Sequence, residues 1–422
     1  MKKSLLLIKL LLISILFVSE LYADTLTLQE SIEKALLSHP DIKSFMLKVK
    51  QSEKNYDTAF ADYLPQINLH AEYNPLQTFA LPVNGVFNTI DDDGWGVGVS
   101  LKQKIWDFSQ TLSKIKASKM EKEISQLSFQ EAKALMAYKV KSLYGLVVVY
   151  NEAIEVRKKD LEAKKAYYAQ AKARVKQGLT TDADASRFLS SVYVAKDNLA
   201  VAIATYEKAK LALSLCIGEE ITNDTELEYN FVTKEYDFEQ DLEKEILNSN
   251  YKIQIETQNI YKNSLLYKSA QASHYGSLDA VVSYYHLDTL NSYDSRLIGI
   301  TYAIPLYSGG KISAETQKAK IGIHLAREQK ASKVLEVKEE IGSLLLDIQR
   351  YDATIEAKQA QENSANQTQK VLEARYKAGL STYIGVLDSI SLVLNAKLGV
   401  LEAYYLRITA INRLEYLKGQ KS

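Results

Sequence analysis

The side chains best suited to proton or metal chemistry are five histidines: His39, His70, His274, His286 and His324. They are scattered and lack metal-ligand spacing. Cys216 is the only cysteine, which excludes disulfides within the chain and Cys-rich metal sites. No Gly-rich phosphate loop is present, so nothing here is built to hydrolyse a nucleotide. No catalytic set emerges, and neither an enzyme nor a cofactor is expected. The chain carries 52 Lys and Arg against 52 Asp and Glu in 422 residues. That even balance argues against nucleic acid as a partner. What remains to carry a function is structural: two glycine-centred turns and the helices on either side of them.

Those turns belong to a stretch that occurs twice. Arg174–Gly218 and Arg375–Gly419 align without a gap and are identical at thirteen of 45 positions, the mark of a duplication. Each copy has a Gly-Leu-Ser/Thr turn, Gly178-Leu179-Thr180 and Gly379-Leu380-Ser381. Glycine stops one helix, and the Ser, Thr or Asp after it caps the next, with Asp182 read as the first N-cap. Each copy is therefore the tip and returning arm of a helical hairpin.

The elements behind the tips follow from proline and periodicity. All five prolines fall before residue 83 or at Pro305, leaving room for very long helices. Val140, Val147, Ile154, Leu161, Tyr168 and Val175 recur every seven residues, a coiled-coil-like seam. In the second half Ile341, Ile348 and Ile355 keep the seam, while Glu362 and Gln369 break it. A helix over 109–176 would span about 100 Å. The arms 182–217 and 28–62 together match its length, so they can stack end to end against it. Pro40 interrupts or restarts the first arm.

Period-two alternation marks four strands, at Ile67–Tyr73, Trp95–Leu101, Leu278–Tyr284 and Ile298–Ile304. Asn74–Gly94, with Pro75, Pro82 and Asn84-Gly85, and Leu287–Asp294 read as exposed loops. Aromatic residues near the strand ends, such as Trp95, Trp106, Tyr284 and Tyr302, suit the girdles of a membrane barrel.

Residues 1–23 read as a signal peptide. Lys2 and Lys3 precede an apolar run to Val18, and Leu21-Tyr22-Ala23 offers a cleavage site. No later apolar run approaches the roughly 20 residues of a membrane helix, so only strands are expected to span. The chain divides into a first repeat over 24–217, a linker over 218–238 that forms a belt at mid-height, and a second repeat over 239–422.

Four strands cannot close a barrel, and an open edge is not tolerated in lipid. Copies must therefore combine. Three give twelve strands and twelve helical columns. Two give eight, and an eight-stranded barrel is filled by its own side chains. The expected fold is mainly α with a β membrane part: a long α-helical barrel continuous with a trimeric, 12-stranded transmembrane β-barrel.

Several short motifs then fall into order. They are Ala35-Leu36 with His39-Pro40-Asp41, Tyr63-Leu64-Pro65, and Ile304-Pro305-Leu306-Tyr307-Ser308-Gly309-Gly310. The last is Arg375-Tyr376-Lys377-Ala378-Gly379-Leu380 with Val386-Leu387-Asp388 and Ala396. Over nearly all of the mature length the chain resembles the TolC-like outer-membrane efflux proteins. The resemblance implies a homotrimeric channel-tunnel in the outer membrane of a Gram-negative bacterium, with a long periplasmic extension. It implies a passive exit duct for efflux or type I secretion, working with a periplasmic adaptor and an inner-membrane RND or ABC pump. It also implies a gate at the helical tips, with Tyr376 and Asp184 in a Tyr/Arg/Asp network and Asp388 in an acidic ring. Ser381 stands where some members have the network arginine, and Gly385 where they have a second ring aspartate. Arg187, the duplicate of Asp388, can supply a partner instead. The competing reading is an exported coiled-coil protein that bridges periplasm and outer membrane without a pore. The duplicated strand pairs separate the two, since a plain coiled coil has no use for them.

Overall fold

The computed structural model describes residues 25–222, 225–227 and 241–419. The signal peptide expected at 1–23 lies outside the described residues, as do residues 228–238 of the expected linker. The first half runs β1 (Thr25–Leu26), α1 (Leu28–Ser38), α2 (Pro40–Ala61), β2 (Gln66–Val83), β3 (Val86–Trp106), α3 (Gln110–Lys176) and α4 (Asp182–Ile217). The second runs β4 (Glu226–Leu227), α5 (Leu242–Ser249), α6 (Tyr251–Ala272), β5 (Ser277–Asp288), β6 (Ser292–Ala303), α7 (Lys311–Lys377) and α8 (Tyr383–Lys418). α3 and α7 each have 67 residues, and α4 and α8 each have 36. Two compact units cut across this order, each taking segments from both halves.

One unit comprises Ser44–Ala132 and Glu243–Glu339. Its sheet has the order β2-β3-β5-β6 and is antiparallel throughout. Two expected loops are strand instead. β2 and β3 continue through Asn74–Gly94 to a turn at Asn84 and Gly85, both with positive φ (52° and 82°). That is the two-residue turn that Asn-Gly favours between antiparallel strands. Likewise β5 and β6 run through Leu287–Asp294 and leave only residues 289–291 between them. Pro75 sits at a register shift between Asn74 and Gln77, and Pro82 pairs with Phe87. Both lie on β2, an edge strand, where a missing N–H costs no ladder bond.

Alternation gives the sheet two unlike faces. Ile67, Leu69, Val97, Val99, Val282, Ile298 and Ile300 share one face and are exposed. The other carries Asn68, His70, Glu72, Ser100 and Lys102, with Lys102 paired to buried Asp279 at 3.2 Å. Gly96 and Gly98 also lie on the polar face. A Cβ at Gly98 would come within 2.1 Å of the Tyr285 ring, so the glycine lets that ring lie across β3.

Strand passes to helix through two successive left-handed residues in each half. In the second half these are Gly309 and Gly310, and in the first Phe108 and Ser109 (φ 54° and 69°). The non-glycine pair is strained. It is held where Phe108 packs on Tyr275 (5.2 Å) and Trp106 (6.2 Å), and Asp107 accepts from the Thr111 amide at 2.8 Å.

The other unit comprises Met1–Lys43, Lys133–Leu242 and Glu340–Ser422. The β1–β4 bridge is parallel, and the Tyr144 hydroxyl donates to the Leu26 carbonyl at 2.6 Å. Along α3, Val140, Val147, Ile154 and Leu161 are buried as the seven-residue seam requires. Further on, Tyr168 and Val175 are only half-buried, while Lys164, Tyr167 and Ala171 are buried. A straight helix drifts by about 20° per heptad, so the buried stripe moves to neighbouring positions. In α7 the seam residues Ile341, Ile348 and Ile355 are buried. The sequence reading expected no helix able to cross a membrane. Among the described residues α8 is long and apolar enough to do so. Its apolar residues serve the bundle: Val386, Ile390, Leu414 and Leu417 are buried, and Arg407 is buried against Asp352.

Candidate functional site

Both tips close in the same way. The Gly178 amide donates to the Val175 carbonyl and the Leu179 amide to the Arg174 carbonyl, both at 2.9 Å. The Gly379 amide donates to Tyr376 and the Leu380 amide to Arg375, at 3.1 and 2.8 Å. These are paired Schellman bonds, which need a left-handed residue; Gly178 and Gly379 supply it at φ 70° and 77°. Leu179 and Leu380 are left pointing into solvent, 63% and 77% exposed.

The next helices start differently. Thr181, not Asp182, caps α4; Asp182 is its first helical residue. Asp184 completes a capping box with Thr181, and the Thr180 hydroxyl donates to its carboxylate at 2.6 Å. That bond holds the Asp184 carboxyl below the usual carboxylate range, with the Thr181 amide and nearby Arg187 adding to it. In the second tip Thr382 caps α8, but Gly385 stands where Asp184 would and the box stays half-made.

Below the tips a shared core joins four helices. It is built from Tyr167 and Ala171 of α3, Ala185 and Phe188 of α4, Tyr376 of α7, and Val386 and Ile390 of α8. Phe188 lies 6.1, 6.0 and 5.9 Å from the rings of Tyr167, Tyr376 and Tyr383. Two arginines tie the hairpins together around it. Arg174 lies over the Tyr376 ring at 5.1 Å and donates to the Tyr376 carbonyl at 2.8 Å, capping the end of α7. Arg187 donates to the Tyr383 hydroxyl. Burial pushes the pKa of the Tyr376 hydroxyl up, and among the described residues that hydroxyl is buried without a hydrogen bond.

The structure thus gathers Asp184, Arg187 and Tyr376 around one core. Asp388 stands apart: it is exposed, the sixth residue of α8, and makes no hydrogen bond or ion pair among the described residues. Ser381 and Thr180 are half-buried at the turns. Sequence reasoning missed Arg174, Tyr383 and Phe188. Arg174 did carry a signal, since it opens the duplicated stretch. No group of three or more metal-ligating side chains occurs among the described residues.

A mainly helical chain with an antiparallel sheet apolar on one face and two matched hairpin tips is the build of an outer-membrane channel. The chain belongs to the outer membrane efflux protein family, whose model matches it over residues 31–219 and 242–420. Outer membrane protein TolC of Escherichia coli is 24% identical over 410 residues, which cover 90% of this chain and 79% of that one. The outer membrane protein VceC of Vibrio cholerae shares the fold at a TM-score of 0.81 and 17% identity, covering 93% of this chain and 96% of that chain. The CusC structure does so at 0.84 and 17%, covering 93% and 92%. The protein is thus a TolC-like outer-membrane channel for tripartite efflux, with its helical part in the periplasm. A bridging coiled coil without a pore is not favoured.

Proposed function

We propose that three copies close one duct, with twelve strands in the membrane and the tips as a periplasmic gate. The observation that carries this reading is the four-stranded sheet whose β2 and β6 each have one unpaired edge among the described residues. A membrane-spanning sheet has to close its edges, and three copies make a barrel wide enough to hold a passage. In this reading the apolar face meets lipid and the polar face lines the duct. Arg187 and Arg174 clamp the two hairpins in the closed state, and Tyr376 and Asp184 shape the contact they grip. They take the place of the arginine that Ser381 replaces. Asp388, free on α8, forms an acidic ring on the threefold axis. The turns Gly178-Leu179-Thr180 and Gly379-Leu380-Ser381 dock a periplasmic adaptor, which couples the duct to an inner-membrane pump of the RND or ABC type. The cargo is whatever the pump delivers, by efflux or by type I secretion.

The test uses detergent-purified protein. Native mass spectrometry should give a trimer, and closed trimers in a bilayer should pass a small cation-selective current blocked by multivalent cations from the tip side. Asp388→Ala should abolish the block and leave the trimer intact, because an exposed carboxylate contributes little to folding. A monomer with its strand content intact removes the barrel; block that survives Asp388→Ala removes the ring.

A further inference from the structure

Past the four-stranded part of the sheet, β2 and β3 continue alone. β5 and β6 end opposite Trp95, which pairs with Asp288. The two longer strands go on as a ribbon from the Gln77–Asp92 pair to the Asn84-Gly85 turn. The extra residue at the register shift belongs to β2, so even-numbered residues of β3 stay on the polar face of the sheet.

That face is more apolar in the ribbon than in the sheet. Within the sheet it carries Asn68, His70, Glu72, Ser100 and Lys102. In the ribbon it carries Val86 and Ile90, with Phe79 and Leu81 from β2 beside them, around Asn88 and with Gln77 and Asp92 at the end next to the sheet. Val86 is 65% exposed, Ile90 44% and Leu81 37%. The opposite face, apolar in the sheet, becomes mixed in the ribbon: it carries Thr78, Thr89 and Asp91 beside Pro82 and exposed Phe87. There Asp91 accepts from the Thr78 hydroxyl at 2.7 Å and Asp93 from the Tyr73 hydroxyl at 3.2 Å.

An isolated two-stranded ribbon is marginal in water at best, and an exposed apolar face makes it worse. Something covers that face. An anionic membrane surface is a poor candidate, because residues 74–94 hold Asp91, Asp92 and Asp93 and no Lys or Arg. The face also points the way the duct-lining residues point. A threefold axis there brings three identical apolar faces towards one another.

We propose that the ribbons of three copies meet through Phe79, Leu81, Val86 and Ile90 and cap the outer mouth of the duct. This rests on the trimeric reading above. The occupant of each apolar face is the same face of the other two copies, and Asp91 and Asp93 keep the outer surface wetted.

The experiment places single cysteines in full-length protein carrying Cys216→Ala. Val86→Cys lies on the apolar face and Phe87→Cys on the opposite one. Under mild oxidation in the outer membrane, Val86→Cys should give disulfide-linked dimers within intact trimers, at least about ten times faster than Phe87→Cys. A trimer by native mass spectrometry in which the two cross-link equally slowly overturns the cap and spares the trimeric reading. A monomer overturns both. An environment-sensitive dye on Val86→Cys that spin-labelled lipid quenches more than the dye on Phe87→Cys puts the face on the membrane and overturns the cap as well.

Discussion

Arg187 and Tyr383 lie in different halves of the chain, and their bond is one of few side-chain links between the two hairpins near the tips. It is exposed, so its contribution is on the order of 1 kcal/mol. A gate balanced between closed and open states responds to that by about fivefold. Arg187→Ala should therefore raise the open probability of single channels in planar bilayers about fivefold. Tyr383→Phe should do less, because the ring stays packed on Phe188 while only the hydroxyl is lost. An unchanged open probability for Arg187→Ala would take the arginine out of the gate. The residues gathered at this site were only partly legible in the sequence. Tyr376 and Asp184 stood out through the family resemblance, and Arg187 as the duplicate of Asp388. Tyr383 did not, because its counterpart in the first copy is Asp182 and no shared chemistry links the two. Phe188 was hidden for the same reason: Ser389 occupies its place in the second copy.

Among elements, the tips behave as rigid turns that hold one apolar side chain each outside the fold. Leu179 and Leu380 bury little within the chain, so replacing them leaves folding intact while altering what the tips offer a partner. Leu179→Asp combined with Leu380→Asp should abolish export in cells, with normal amounts of protein in the outer membrane on blue-native gels. Export at the wild-type level would exclude the tips from the adaptor interface. Helices were legible because their signals are local: periodicity, caps and the absence of proline act within a few residues. The bounds of α4 match the expected 182–217, although its cap is Thr181 and not Asp182. The strands were cut short because Pro75, Pro82 and Asp91–Asp93 look like a loop in sequence. Only sheet order shows that both prolines lie on an edge strand and that Asp91 and Asp93 have hydroxyl partners across the ladder. Edge position is a tertiary fact, and no local window contains it.

For the whole molecule, membership of the efflux family sets a direction. The helical part lies in the periplasm, so the Asn84-Gly85 turn, at the far end of the longest strands, is expected to face the outside of the cell. An epitope tag at Asn84 should bind antibody on intact cells. Labelling that appears only after permeabilising the outer membrane would reverse the orientation. The polarity of the sheet was legible at this scale, since alternation alone separates an apolar from a polar face. The division into two units was not, because each unit joins segments that lie far apart in the sequence. If three copies close one duct, as proposed above, the outer edges of β2 and β6, unpaired among the described residues, also tie this protein to its own dosage. Until those edges are covered by other copies, a chain carries two templates for wrong pairing into a crowded compartment. Assembly follows mass action, so when synthesis slows, the number of finished ducts falls more steeply than the number of chains. On that reading a cell short of this protein should accumulate orphans that need proteolysis or a holding chaperone, and a modest change in gene expression should become a large change in export capacity.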